Sequence, residues 1–289
     1  MSLLGFADDA PWGGMQSLIS RFLGRLALSP AVLIRVLATR GSVPRDAGAW
    51  MAVFADSTVG TIGGGRLELG AIAHAQALFA NPSVPREQSY ALGPSLGQCC
   101  GGHVTLGFEP VQAQDCARLR RALQAGHQPV ALFGGGHVGH ALVQVFAHLP
   151  LDVHWIDSRD APFPATVPAN VRCEHSQPVH GAVATLAPGA RVLIMSFSHA
   201  EDLDIVAACL LRHRARADLP FIGLIGSKTK WATFRQRLEA RGFSAHELAH
   251  ITSPIGLANL RDKRPEVIAV SVAAQLMSLP LPAPDRPAT

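Results

Sequence analysis

The sequence predicts an α/β protein in which a small N-terminal α+β domain precedes a Rossmann-like domain with a doubly wound parallel sheet. The length of 289 residues is sufficient for two hydrophobic cores. Beyond residue 129, apolar strands alternate with amphipathic helices, which is typical of a parallel sheet covered on both faces. The first of these strands runs into the motif GGGHVG at 134–139, and a helix and a second strand follow in the order of a dinucleotide-binding unit.

The composition is that of an ordinary folded protein. Hydrophobic residues make up 48% of the chain and charged residues 16%, so disorder is excluded for most of it. The net charge is +4 and no run of lysines occurs, so nucleic acid is excluded as the main partner. A signal peptide and an apolar run of membrane-spanning length are both missing. We therefore expect no membrane partner, and because the five cysteines lack disulfide-framework spacing, we expect a cytoplasmic protein.

The N-terminal domain, residues 1–111, is predicted to mix short strands with two helices. The periodicity predicts a helix at 15–28, strands at 32–39, 50–55 and 59–62, a helix from 66, a short strand within 81–91 and a strand at 104–111. These elements are too few and too mixed for a doubly wound sheet, so they indicate a separate α+β unit.

A glycine triplet opens the second helix. Gly63, Gly64 and Gly65 stand directly before Arg66, and such a turn offers backbone amides and the positive end of a helix dipole to an anion. Arg45, in the preceding loop GSVPRDAG, and Arg66 both suit bidentate contact with a phosphate or another oxyanion. The alternative is a tight turn flanked by two surface charges.

Two adjacent cysteines stand in the stretch LGPSLGQCCGGH at 92–103. Gly101 and Gly102 allow positive φ and a close approach of the backbone to a ligand, so Gln98, Cys99, Cys100 and both glycines form a candidate binding loop. Adjacent cysteines fit neither disulfide geometry nor zinc-knuckle spacing. Thiolates are soft ligands and nucleophiles, which leaves a soft metal centre, sulfur transfer and a redox switch open. The alternative is that both cysteines are small buried hydrophobic residues.

The chain changes character after residue 111. Residues 112–128 are predicted to form a connecting helix, 129–280 the Rossmann-like domain and 281–289 a proline-rich tail. Within that domain, strands are predicted at 129–133, 153–157, 171–174, 191–195 and 221–225, with helices from 138, from 178, at 200–213, at 228–241 and at 265–277. The ligand crevice of such a sheet lies at the carboxyl ends of its strands.

The glycine motif is a candidate nucleotide site. Gly134, Gly136 and Gly139 let a pyrophosphate lie at the N-terminus of the following helix. Asp157 follows Gly139 by eighteen residues, at the end of the second strand, and is expected to accept hydrogen bonds from a ribose. Arg159 instead favours a phosphorylated ribose. A nucleotide such as NAD(P) is therefore one candidate ligand.

Three further side chains are expected at the crevice. His199 with Asp202 forms a candidate acid-base pair, although a helix N-cap at Ser198 explains the local sequence as well. Lys228 stands at a helix start and is either a phosphate contact or a solvated charge.

Taken together, the motifs resemble one protein family. GSVPRDAG, TIGGGRLE, LGPSLGQCCGG, VALFGGGHVG and the block that begins SPIGLANL occur in order between residues 32 and 277, and they resemble the xanthine dehydrogenase accessory protein family, XdhC. The resemblance implies a molybdenum cofactor chaperone. Such a protein binds the molybdopterin form of the cofactor, assists replacement of an oxo ligand by sulfur with a cysteine desulfurase, and hands the product to xanthine dehydrogenase. Cys99 and Cys100 match the family's cysteine motif, which implies that they contact the cofactor and its molybdenum.

Two functions of different classes remain open. One is a binding and delivery protein without its own turnover, in which the cysteine loop and the glycine turns hold the cofactor. The other is an NAD(P)-dependent oxidoreductase that uses the Gly134 site, with His199 as proton relay and Cys99 or Cys100 as a redox thiol. A third possibility is that the cysteines carry persulfide sulfur. An apolar final helix and a low surface charge favour a homodimer.

Overall fold

The computed structural model describes residues 17–92 and 101–280. Contacts divide the chain into two compact units, which within the described residues span 18–125 and, together with residue 17, 126–280. The candidate residues Gln98, Cys99 and Cys100 lie outside the described residues, as does the tail predicted at 281–289.

The first unit is an antiparallel sheet with helices on both faces. Its elements are α1 (Leu18–Leu26), β1 (Ala31–Arg40), β2 (Trp50–Val53), β3 (Thr58–Gly60), α2 (Gly65–Ala80), β4 (Glu87–Ala91), β5 (His103–Val111), a 3-10 turn (Ala113–Asp115) and α3 (Cys116–Gln124). The strand order is β3-β2-β1-β5-β4, so β1 and β5 are the inner neighbours.

The central strand β1 supplies side chains to two cores. Val32 and Ile34 pack on one face with α2, whereas Ala31 and Leu33 pack on the other with α1 and α3. This alternation is the two-residue period of a strand that is buried on both faces. The helix that the sequence predicts as a connection between domains, α3, belongs to this packing, because Leu119 is fully buried in the second of these cores.

The second unit is a parallel sheet. Its elements are β6 (Gln128–Phe133), α4 (His137–Phe146), β7 (Leu151–Asp157), β8 (Val171–His175), a 3-10 helix (Val179–Thr185), β9 (Arg191–Ile194), α5 (His199–Arg216), β10 (Phe221–Leu224), α6 (Lys228–Ala240), α7 (Ala245–Leu248), β11 (Ile251–Thr252) and α8 (Pro265–Ser278). All strand pairs in it are parallel.

The strand order β8-β7-β6-β9-β10-β11 is that of a doubly wound dinucleotide-binding fold. Val130 and Leu132 of β6 pack with α4 and α8, and Ala131 and Phe133 pack on the opposite face with α5 and α6. The order reverses between β6 and β9, so the ligand crevice is expected at the carboxyl ends of these two strands. The fold class predicted from the sequence is confirmed.

One predicted helix is of a different type. The helix expected from residue 178 is a 3-10 helix, Val179–Thr185. Its buried residues Val179 and Ala182 are three apart, which suits the three-residue turn of this helix. Gly181 and three β-branched residues lower the α-helix propensity of the segment.

The last helix, α8, is apolar most of the way round. Ala269, Val272 and Leu276 are buried, while Val270 and Met277 are exposed. Within the described residues, no helix combines the length and the apolar character that crossing a membrane requires.

Candidate functional site

In the first unit, the end of β1 and the start of β5 lie side by side, with Arg40 opposite His103. Gly102 stands directly before β5 and packs against the loop 41–48 that follows β1. A Cβ atom on Gly102 would lie 2.4 Å from the carbonyl oxygen of Ser42 and 2.7 Å from that of Arg40. The backbone is therefore too close for any side chain, which is why glycine occupies this position.

The glycine triplet at 63–65 packs against the same loop. A Cβ atom on Gly63 would lie 2.5 Å from Cγ of Pro44. All three glycines have positive φ, a conformation that other residues rarely adopt. Arg45, in the loop, and Arg66, in the first turn of α2, are both exposed. Two motifs that are distant in sequence thus share one packing partner, the loop 41–48.

The amides of the triplet turn already have an anionic partner in the protein. Glu68 accepts hydrogen bonds from the backbone N–H groups of Ile62 and Gly64, each at 2.9 Å, and from the Thr61 hydroxyl. Burial would raise the pKa of Glu68, but the hydrogen bonds from Thr61 and the backbone outweigh it, and the pKa is lowered. An external phosphate at this turn, as the sequence predicts, would have to displace Glu68.

The cysteine loop begins and ends beside these motifs. The backbone N–H of Leu92 donates to the carbonyl oxygen of Gly102 at 2.7 Å. The chain therefore leaves the sheet at Leu92 and returns next to it at Gly101, where an added Cβ atom would meet no atom of the described residues within 4 Å. Cys99 and Cys100 fall between these anchors and outside the described residues, so their predicted role stays a prediction.

In the second unit, the three glycines of the motif have distinct environments. A Cβ atom on Gly134 would lie 2.0 Å from the Met195 carbonyl oxygen, and one on Gly139 would lie 2.1 Å from that of Gly134. These two glycines allow the turn and the close packing of helix on strand. Gly136, the N-cap of α4, has nothing within 4 Å of an added Cβ atom, so a ligand has access to its backbone. This division of roles is that of the dinucleotide-binding fingerprint.

Asp157, predicted to bind a ribose, is 2% exposed and bonded within the protein. Its carboxylate forms a bidentate pair with Arg159, with Nε to Oδ1 at 2.9 Å and Nη2 to Oδ2 at 2.8 Å. The backbone N–H groups of Arg159 and Gly135 also donate to it. Burial would raise the pKa of Asp157, but the hydrogen bonds from Arg159 and Gly135 outweigh it, and the pKa is lowered.

A cleft of about 550 Å³ lies at the start of α4. Its lining includes Gly136, His137 and His140 at α4, Arg159 after β7, and Pro265 and Glu266 at α8. The N-terminus of a helix carries partial positive charge, and two helices begin at this cleft. Arg159 adds a full positive charge and Glu266 a negative one. The cleft therefore suits a ligand with an anionic group and hydrogen-bond donors.

The structure gives Asp202 other partners than His199. The Asp202 carboxylate accepts hydrogen bonds from the backbone N–H of Ser196 at 2.8 Å, from the Ser196 hydroxyl at 2.7 Å and from the Lys230 ammonium group at 2.6 Å. The His199 ring lies edge-on to Phe234, with ring centroids 6.3 Å apart. The proposed acid-base pair is therefore not assembled in this conformation.

Lys228, the predicted phosphate contact, is exposed at the first position of α6. Lys230 is the lysine that points inward, since its ammonium group donates to Asp202 and, at 2.9 Å, to the Ile225 carbonyl oxygen. The ion pair between Lys230 and Asp202 therefore links α6 to α5.

Both units match known family models. Residues 130–276 match the XdhC Rossmann domain, and residues 26–90 match the XdhC and CoxI family. The first match alone covers more than half of the chain. The chain belongs to the XdhC family.

The XdhC family chain is similar to the uncharacterized protein YqeB of Escherichia coli (strain K12), with 26% identity over 260 residues. That alignment covers 88% of this chain and 44% of YqeB, so the chain spans less than half the length of this curated relative.

A solved structure described as a xanthine dehydrogenase (BH1974) from Bacillus halodurans resembles this chain with a TM-score of 0.71 and 23% identity, over 90% of this chain and 95% of that one. At this identity the likeness shows the fold alone. A Rossmann-fold NAD(P)-binding family protein from Shigella flexneri matches over 50% of this chain and 85% of its own, with 19% identity and a TM-score of 0.34.

At the candidate sites of this XdhC family member, the sequence analysis missed the roles of Glu68 and Lys230. Glu68 had a usable signal, because an acid in the first turn of a helix often bonds the preceding amides. Lys230 had no comparable signal in the sequence, since its partner Asp202 is 28 residues away and only the tertiary fold brings the two together.

We expect Gly102→Ala to destabilise the first unit, because the new methyl group would meet two backbone carbonyl oxygens at less than 3 Å. Overpacking of this kind costs about 2 kcal/mol of unfolding free energy. Gly101→Ala is the matched control, since it has nothing within 4 Å, and its cost should stay below about 1 kcal/mol. Urea denaturation measures both, and equal midpoints for the two variants would contradict the close approach.

We expect Glu68→Gln to destabilise the first unit at neutral pH but not in acid. The folded-state pKa lies below 4.5, so the carboxylate stabilises the fold above that pH, and the contribution is lost as pH falls through the lowered pKa. A loss of about 1 kcal/mol at pH 7 is typical of side-chain hydrogen bonds at a helix start. Urea denaturation across the acidic range should show the gap to wild type closing. If the difference in unfolding free energy between wild type and variant stayed constant with pH, the charge of Glu68 would not be the cause of the destabilisation.

Proposed function

We propose that this XdhC family member is an accessory protein of xanthine dehydrogenase that binds the molybdopterin form of the molybdenum cofactor as its cargo. In this proposal it supports the replacement of an oxo ligand by sulfur and delivers the product to the molybdenum-binding subunit, without turnover of its own. One observation in this family member supports the proposal most directly. The loop 41–48, the glycine triplet 63–65 and the two residues that flank the cysteine loop, Leu92 and Gly101, lie together at one end of a sheet.

The donor set at that end fits such a cargo. Cys99 and Cys100 would offer soft sulfur to a soft metal. Arg45 is an exposed cation in the loop 41–48, and Arg66 is an exposed cation in the first turn of α2. Guanidinium groups suit the phosphate of a pterin cofactor. Since Glu68 holds the triplet amides, the arginines and not the triplet are expected to bind this phosphate.

The described cysteines are poorer candidates for a reactive thiolate. Cys209 is fully buried, and burial raises the pKa of its thiol to about 12. Partial desolvation also raises the pKa of the Cys173 thiol, although the residue as a whole is exposed, and the Cys116 thiol points at the Leu23 carbonyl oxygen at 3.8 Å. A thiol with a raised pKa is protonated at neutral pH and a weak ligand or nucleophile. The proposal therefore assigns metal binding and sulfur chemistry to Cys99 and Cys100.

The proposal brings partners with it. A delivery protein requires contact with xanthine dehydrogenase, and sulfuration requires a cysteine desulfurase as the sulfur source. All of these act in the cytoplasm, where reduced thiols persist. A homodimer through apolar surface such as Val270 and Met277 of α8 is part of the same proposal.

The alternative, an NAD(P)-dependent oxidoreductase, is favoured by the environments of Gly134, Gly136 and Gly139. The state of Asp157 weighs against it, because this carboxylate already accepts four hydrogen bonds and is 2% exposed. Oxidation of NADH or NADPH by the purified chain with a candidate acceptor, abolished by Asp157→Ala, would favour the alternative.

We expect the purified chain to retain molybdopterin cofactor through anaerobic gel filtration, and Cys99→Ala or Cys100→Ala to reduce retention about tenfold or more, as loss of a charge-assisted contact does. Pterin fluorescence and molybdenum content of the protein peak measure retention. Cys173→Ala is the matched control, because it removes an exposed thiol from the second unit. Loss of cofactor from the control to the same extent, or no retention by wild type, would contradict the proposal.

A further inference from the structure

The carboxylate of Asp157 is saturated. Oδ1 accepts from the backbone N–H and from Nε of Arg159, and Oδ2 accepts from Nη2 of Arg159 and from the backbone N–H of Gly135. A carboxylate offers about four lone-pair positions, so all of them are used. In a dinucleotide-binding fold, the residue at this position accepts hydrogen bonds from the ribose hydroxyls. Here a ribose diol would first have to break the ion pair.

The same bonds fix the side chain of Arg159. Its Nε and Nη2 atoms face Asp157, which uses two of the five N–H donors of the guanidinium group. Three donors remain that Asp157 does not use. One face of the guanidinium covers the exposed ring of Phe197, with Cζ 5.1 Å from the ring centroid. Arg159 is thus held at two places while it lines the cleft.

The other charges at the cleft indicate where an anion would bind. The open backbone at Gly136 and the first turn of α4, with His137 and His140, lie at the cleft together with Arg159. Glu266, in the first turn of α8, is the acidic lining residue and repels an anion from that side. The electropositive part of the cleft is therefore the part formed by α4 and Arg159.

We infer that Arg159 is the specificity-determining residue of this cleft and that it selects a phosphate monoester bound at the start of α4. Asp157 is the positioning residue, because it holds the guanidinium group of Arg159 in place. The inference goes beyond the proposed function, in which Arg45 and Arg66 bind the phosphate of molybdopterin, so the ligand of this cleft is a second molecule that carries a phosphate monoester. A monoester has close to two negative charges at pH 7 and three terminal oxygens, enough for helix amides and an arginine at once. A pyrophosphate linkage has a single charge and two terminal oxygens on each phosphorus.

Two pairs of probes that differ in one monoester test the inference on the full chain: NADPH against NADH, and AMP against adenosine. We expect the monoester member of each pair to bind about tenfold tighter or more, by nucleotide fluorescence and by calorimetry. Arg159→Gln should remove this preference, and Asp157→Asn should reduce it because the guanidinium is no longer held. Arg241→Gln is the control, since Arg241 is an exposed arginine of the same unit that pairs with Asp204.

The ratio of affinities within each pair distinguishes selection from a loss of folding, which would weaken both members alike. Equal binding of NADH and NADPH, with both weakened by Asp157→Asn, would overturn the inference and make Asp157 a ribose ligand. Absence of binding by every probe would overturn it as well.

The result is separable from the proposed function. If the wild type retains molybdopterin but shows no monoester preference, only the inference fails. If the preference is present and no cofactor is retained, the proposed function fails and the selective cleft remains.

Discussion

Both units depend on glycine backbones that pack against carbonyl groups at the ends of their central strands. Gly102 lies against Ser42 and Arg40 where β1 and β5 meet, and Gly134 lies against Met195 between β6 and β9. At each point an added Cβ atom would come within 2.4 Å of a carbonyl oxygen, which no packed side chain tolerates. This constraint brings distant segments together at the strand ends, where the candidate sites are.

A second feature common to both units is an internal carboxylate at the glycine turn. Glu68 holds the amides of Ile62 and Gly64, and Asp157 holds the amide of Gly135 together with Arg159. Each acid satisfies donors that a bound anion would otherwise need, so the turns are structurally complete without a ligand. We therefore propose that ligand binding depends on neighbouring cations, Arg45 and Arg66 in the first unit and Arg159 in the second. For this reason a glycine-rich motif alone is a poor guide to what this protein binds.

The fold was predictable because its signals are local. Short stretches of sequence show the two-residue alternation of β1, the apolar strand before Gly134 and the helix after it. The order of the strands and helices then predicts the doubly wound sheet. Side-chain partners were not predictable in the same way. The pairing of Asp202 with Lys230 instead of His199 depends on how α5 and α6 lie on the sheet, and the saturation of Asp157 depends on the path of the loop after β7. The family resemblance, carried by motifs and their order, was confirmed over residues 26–90 and 130–276.

In the proposed function, this XdhC family member is a carrier in which Cys99 and Cys100 hold the metal end of a cofactor for transfer to an enzyme. Reconstitution of that enzyme tests this claim most directly. Cofactor-free xanthine dehydrogenase would be mixed with the cofactor-loaded chain, or with the same amount of free sulfurated cofactor, and its activity followed over time. The account predicts faster and more complete activation by the loaded chain. Equal activation with and without the chain would contradict it.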